Sequence, residues 1–316
     1  MKRAATGMIG GMLLAAMACA TPTLAQTSQR ERCFEVQWAR PALTPDQTIE
    51  ACTAVINVID ARQADRAAAF YRRGTAHLDK GDSDRAIADF DRAVELDPTK
   101  PEGFFSRGLI YLRKRDYDRA IADFTQTVRL EPESGLFLST RGLAYARKGA
   151  YVRAIADYDE AIRLQPQTSD IYEDRGAAYM DLGDYERAIA DFDRAIQLSP
   201  EFATSAFSNR CVVRAMMGQL ERAIADCDEA VRLNDEGVEE YTKRGFLRLK
   251  MGDHAAAIAD YDKALARYAK HADALFGRGV ARLRKGDRTG GAADIAAAQA
   301  SDPGVAERHA RYGVRP

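Results

Sequence analysis

The chain has 316 residues, of which 46% are hydrophobic and 29% charged, with ten prolines and one tryptophan. That balance excludes a disordered chain and points to a soluble, strongly helical one. The formal net charge is −1, so no overall field draws the protein to nucleic acid or an anionic membrane, while the length leaves open one large domain or two ordinary ones.

Residues 1–25 read as an export signal: Lys2 and Arg3, an apolar run from Met8 to Ala20, and the small-residue site Thr23-Leu24-Ala25 before Gln26. The run is too short for a membrane span and lacks a stop-transfer flank, so cleavage is expected and no span remains afterwards. The alternative is a lipoprotein anchored through Cys19, although the expected Leu three residues earlier is absent. A periplasmic or secreted protein follows. The four remaining cysteines, Cys33, Cys52, Cys211 and Cys227, then meet an oxidising compartment where disulfides form.

Residues 26–66 precede a regular array. Within them Thr48-Ile49-Glu50-Ala51-Cys52 echoes a block found later, so this stretch reads as a degenerate N-terminal repeat that caps the rest. The array is marked by Arg73-Gly74, Arg107-Gly108, Arg141-Gly142, Arg175-Gly176, Arg210-Cys211, Arg244-Gly245 and Arg278-Gly279, spaced by 34 residues with a single step of 35. Ala-Ile-Ala-Asp blocks follow each of the first five, as in Ala86 to Asp89 and Ala223 to Asp226. A period of this length means a solenoid. Seven units are read: 67–100, 101–134, 135–168, 169–203, 204–237, 238–271 and 272–305, with 306–316 as a C-terminal capping segment.

Each unit divides into two helices, here A and B. Gly81 stops helix A and Asp82 caps helix B, with Gly149, Gly183, Gly218, Gly252 and Gly286 at equivalent stops and Arg115 breaking the series. Helix B ends near Pro98, Pro132, Pro166, Pro200 and Pro303. In an antiparallel hairpin the expected register puts Gly at position eight against Ala at twenty, and the large residue at four against the ring at twenty-four. Arg at seven and Asp at twenty-three occur in all seven units and are expected to pair between helices, contributing about 0–1 kcal/mol where exposed.

The pattern of a large apolar residue at four, Gly at eight, Tyr at eleven, Ala at twenty, an aromatic at twenty-four, Ala at twenty-seven and Pro at thirty-two resembles the tetratricopeptide repeat. Tyr172, Gly176, Tyr179, Ala188, Phe192, Ala195 and Pro200 supply it in the fourth unit. The resemblance implies an all-α, right-handed α-solenoid that binds protein, as in exported bacterial members. Cys211 and Cys227 depart from it in the fifth unit, as do Gly291 and Ile295 in the seventh, which is expected to pack less tightly.

No catalytic constellation emerges. His77, His254, His271 and His309 share neither a metal-ligand spacing nor a repeat position, and no cofactor or metal is expected. The resemblance assigns a partner-binding groove to one face of the A helices, giving Tyr71, Phe105, Leu109, Arg113, Leu143, Arg147, Glu173, Met180, Ser208, Met216, Thr242, Phe246, Lys250, Phe276 and Arg284. Phe105, Phe246 and Phe276 are expected to face solvent. Relatives that clamp a chaperone tail carry Lys at five and Asn at nine of one repeat, and no unit here does. A non-enzymatic scaffold for proteins or peptides of the cell envelope is therefore expected, and a self-associating envelope subunit is the alternative. Disulfides Cys33–Cys52 and Cys211–Cys227 are expected within single hairpins, the second about a turn from direct opposition; paired buried thiols are the other possibility.

Overall fold

The computed structural model describes residues 24–34, 43–58, 61–311 and 313–316. These hold seventeen α-helices and no strand, the all-α repeat solenoid predicted from the 34-residue period. Of the expected export signal only Leu24 and Ala25 are described, and Cys19 lies outside. The chain divides into two compact units, Met1–Ser106 and Arg107–Pro316, a division that the repeat pattern does not mark.

The first unit contains α1 (Leu24–Phe34), α2 (Pro45–Ile56), α3 (Gln63–Asp79), α4 (Ser83–Leu96) and the first turns of α5 (Pro101–Arg113). A capping box starts α2: the Thr44 hydroxyl accepts from the Gln47 amide, and the Gln47 side chain accepts from the Thr44 amide. Cys33 and Cys52 are fully buried and bonded to each other, with Cα atoms 4.8 Å apart, beside Val55, Ile56 and Phe70. Helix α3 begins four residues before the repeat boundary at Ala67, because the Gln63 side chain donates to the Leu96 carbonyl at 2.7 Å and ties that extra turn to the end of α4.

The second unit continues with α6 (Tyr117–Leu130), α7 (Gly135–Arg147), α8 (Tyr151–Leu164), α9 (Ser169–Leu182), α10 (Tyr185–Leu198), α11 (Thr204–Met216), α12 (Leu220–Leu233), α13 (Val238–Met251), α14 (His254–Arg267), α15 (Ala272–Arg284), α16 (Arg288–Ser301) and α17 (Val305–Arg311). Asp116, Asp184, Asp253 and Asp287 each accept from a backbone amide three residues on and so cap their B helices. At the turn between α5 and α6, Arg115 occupies the left-handed region with φ 60°, where the other repeats place glycine. The turn keeps its shape and the side chain bears the cost.

The hairpin register adds a contact to the expected one. A methyl added to Gly74, Gly108, Gly142, Gly176 or Gly245 would stand 2.7–3.0 Å from the ring of Phe90, Phe124, Tyr158, Phe192 or Tyr261. Position eight thus also meets the aromatic at twenty-four, since helix A must lack a side chain for the ring to come this close to its backbone. These rings are at most 1% exposed. The seventh repeat has Ile295 in place of the ring, and there a methyl on Gly279 would stand 2.7 Å from the Ile295 side chain and 2.9 Å from the Gly291 carbonyl, the expected contact of position eight with twenty. The expectation that this repeat packs loosely is therefore wrong: two glycines replace the ring by letting the backbones of α15 and α16 close on each other.

All seven Arg–Asp pairs form as two-pronged bridges, Nη2 to Oδ1 at 2.6–2.7 Å and Nε to Oδ2 at 2.8–3.0 Å. The aspartates are only 2–8% exposed, so the expected interhelix pairs form largely buried, where the small contribution of an exposed pair does not apply. A second layer links repeat to repeat: Arg175 reaches Asp159 at 2.6 Å, Arg244 reaches Asp228 at 2.9 Å, Arg278 reaches Asp262 at 2.7 Å, and Arg210 reaches Asp193. In the first unit Arg73 makes the corresponding bond to the Thr53 hydroxyl of α2 at 3.0 Å, with Thr53 standing where those aspartates stand.

Candidate partner-binding face

The A helices of the last repeats border a half-open cavity of about 260 Å³. Helix α11 contributes Cys211, Val212, Ala215 and Met216, and α13 contributes Glu239, Thr242, Lys243, Phe246, Leu247 and Lys250; Asp273 of α15 with Arg308 and His309 of α17 close one end. Because 3.6 residues make a turn, positions five, nine and thirteen share a helix face, which brings Thr242, Phe246 and Lys250 into one row.

The closing end is built by a segment whose Gly313 lies 34 residues after Gly279, in the manner of one more helix A. Val305 and Val314 are buried against α15 and its neighbours. The His309 ring lies 4.7 Å from Phe276 and 5.7 Å from Phe246. Its Nε2 is 3.0 Å from Asp273, which also accepts three bonds from Arg308. Burial alone would raise the Asp273 carboxyl, but the bonds from His309 and Arg308 hold it below the ordinary carboxylate range.

Other charges on this side have partners of differing quality. The His271 ring meets Glu239 at 3.1 Å, which lowers the Glu239 carboxyl and raises the imidazole. Lys243 donates to the Ser208 hydroxyl at 2.9 Å, and burial pulls its ammonium below the usual lysine range. Burial likewise raises Glu173, against a smaller opposing bond from Ser205. Asp174 is pushed up to about 6 by burial and by Asp170, with Arg147 offsetting only part of the effect.

The predicted groove residues separate on inspection. Met216, Thr242, Phe246 and Lys250 come together in the cavity. Met216 is 39% exposed and Leu109 37%; Arg113, Arg147, Lys250 and Arg284 are also exposed, and Phe105, Leu143, Glu173 and Met180 are half-buried. Met180 packs on the core around Phe192. Tyr71 lines a separate cavity of about 310 Å³ in the first unit, with Val94, Lys100 and Gly103.

Two predicted positions are corrected. Phe276 is fully buried, covered by His309, because the C-terminal segment takes the seat that a further repeat would occupy. Ser208 is 2% exposed, and its hydroxyl is engaged by Lys243. Glu239, Lys243, Asp273, Arg308 and His309 were not among the expected groove residues. The continuation of the 34-residue spacing to Gly313 is the sequence signal that could have found the last two.

Cys211 and Cys227 are bonded to each other, with Cα atoms 5.5 Å apart. The observed register explains the pairing: positions eight and twenty-four stand in direct opposition, not a turn apart.

Models of the tetratricopeptide repeat match residues 105–168 and 242–306, residues 141–218 and residues 67–100. The chain belongs to the tetratricopeptide-repeat family. A tetratricopeptide repeat protein from Parabacteroides merdae is 21% identical over 76% of this chain and 94% of its own, with a TM-score of 0.65. PilF of Pseudomonas aeruginosa is 19% identical over 67% of this chain and 97% of its own, with a TM-score of 0.57. PilW, described as a type IV pilus biogenesis factor, is 18% identical over 66% of this chain and 96% of its own, with a TM-score of 0.60. At these identities the likeness is one of fold. No curated protein sequence matches the chain. Tetratricopeptide-repeat proteins are scaffolds for protein interaction, and among the described residues no helix is long and apolar enough to cross a membrane.

Proposed function

We propose that this protein is a non-enzymatic scaffold that holds a partner polypeptide on the inner face of its A helices, centred on α11, α13 and α15. The observation carrying the reading is the cavity there, whose wall holds the half-buried Phe246 and the exposed Met216 beside Lys250. Exposed apolar side chains gathered in a concavity mark partner sites. The repeats are bounded as read from the sequence, and the groove extends from this cavity along Leu109, Arg113, Leu143, Arg147 and Glu173.

The partner is a protein or peptide of the cell envelope. Supporting this compartment are the leader-like residues 1–25 and the two cysteine pairs at bonding distance, which suit an oxidising space. Intact mass of the secreted chain should give Gln26 as the first residue; retention of earlier residues, or a lipid on Cys19, would refute the cleaved form.

A photo-crosslinking amino acid placed at Met216 or Lys250 tests the groove, with Val152, 71% exposed on α8, as the control. The expected result is a crosslinked partner from the first two positions and none from the third. Crosslinks from Val152 alone would move the binding surface elsewhere.

A further inference from the structure

The charges around the cavity are not equally satisfied. Both carboxylates of its wall are engaged, Asp273 by Arg308 and His309 and Glu239 by His271. The two lysines are not: among the described residues neither Lys243 nor Lys250 has a carboxylate within ion-pair distance. Lys243 has only the Ser208 hydroxyl, with Glu173, Glu239 and Glu240 acting on it from farther away. The Lys250 ammonium stands 5.9 Å from the centre of the Phe246 ring, at the edge of the apolar wall. A third polar group also lacks a partner, the buried Nδ1 of His309, whose other nitrogen is engaged by Asp273.

Size narrows the occupant. At about 260 Å³ the cavity falls below the roughly 300–1,000 Å³ of pockets that enclose whole small molecules, and it matches one large side chain. A partly desolvated cation, Lys243, and an exposed one, Lys250, beside an apolar wall favour an anion that brings its own apolar group, because an incoming carboxylate is worth more to a partly buried ammonium than to a solvated one.

We propose that this cavity receives a large apolar side chain of a partner segment carrying an acidic side chain next to it. The apolar group settles against Val212, Met216 and Phe246, and the carboxylate meets Lys243 and Lys250. This deepens the groove reading above and rests on it.

The test uses the full mature chain and four probes: a synthetic decapeptide alternating Glu and Leu, its counterparts with Gln for Glu and with Ala for Leu, and decanoate. Titration calorimetry should show the Glu–Leu peptide binding at least about tenfold more tightly than either counterpart, the loss expected when a desolvated charge partner or the anchoring side chain is removed. Lys250→Ala should weaken it about fivefold or more without moving the melting temperature, Phe246→Ala should weaken it as much while also lowering the melting temperature because its ring packs on the core, and Lys250→Arg should retain it. Equal binding of the Gln peptide, or no binding of the Glu–Leu peptide, overturns the proposal. Decanoate binding that the Glu–Leu peptide does not displace also overturns it, in favour of a small amphiphile. Loss of charge discrimination with crosslinking at Met216 intact removes this inference and leaves the groove; failure of the crosslinks removes the groove itself.

Discussion

Cys211 is bonded to Cys227 at the place where, one repeat earlier, Phe192 lies on Gly176. The bond is a covalent substitute for a packing contact. Replacing both cysteines by the residues of the other repeats, Cys211→Gly with Cys227→Phe, should therefore preserve the fold and remove this hairpin's sensitivity to reductant. Cys211→Ser with Cys227→Ser supplies neither bond nor ring and should lose about 3 kcal/mol in the chain-entropy model. Thermal melts with and without reductant distinguish the two. If the Gly/Phe variant melts as low as the Ser/Ser one, the substitution logic is wrong.

Asp226 accepts bonds from Arg210 and Arg214 and its side chain is only 4% exposed. Asp226→Asn leaves two half-buried guanidinium groups facing a neutral amide, which should cost about 3 kcal/mol. Glu229→Gln, which breaks the exposed pair with Arg232, should change stability by less than about 1 kcal/mol. Urea denaturation of both variants measures the contrast.

Phe192→Ala removes a fully buried ring from the centre of a hairpin and should cost about 3–5 kcal/mol. Met216→Ala, on the exposed side of α11, should stay within about 0.5 kcal/mol of the parent while lowering crosslinking yield in the groove. Equal destabilisation by the two changes would contradict the placement of core and surface described above.

The Asp174 carboxyl, raised to about 6 from an ordinary 3.8, predicts a pH dependence of defined sign. Below the ordinary value the group is protonated in both folded and unfolded chains, and nothing is lost. As pH rises toward 6 the unfolded chain ionises first, so the folded state loses stability until its own carboxyl ionises, and the loss is then complete. Asp174→Asn should match the parent near pH 3.5 and exceed it by about 3 kcal/mol at pH 7.5. Parallel denaturation curves across that range check it; a gap that is constant with pH would rule out titration as the cause.

Arg115 holds a left-handed turn with φ 60°. Arg115→Gly relieves a cost of roughly 1–2 kcal/mol and adds back part of it as unfolded-state entropy, so a net gain of about 0.5–1 kcal/mol is expected in the melting curve.

Much of this was legible in the sequence because repetition averages out local ambiguity. Seven copies of Arg and Asp at fixed spacing announce a pair, and recurring Gly and Pro announce the helix ends. The contact of position eight with twenty-four was missed because Gly at eight and Ala at twenty are both small, and size alone favours pairing them. Only the ring of Phe90, Phe124 or Phe192 lying on the glycine shows which contact wins, since a flat ring fills more of the space between the helices than a methyl group does.

The sequence by itself determined the helices, their period, the family and the cysteine partners, all of which depend on patterns within about 35 residues of each other. The tertiary structure decided what faces solvent. Phe276 and Phe246 hold the same kind of helix A position, at five and nine of neighbouring repeats, yet one is sealed under His309 and the other borders the cavity. That difference comes from the chain beyond Val305 folding onto α15, and burial is a property of what packs on a face, which the face's own sequence does not contain.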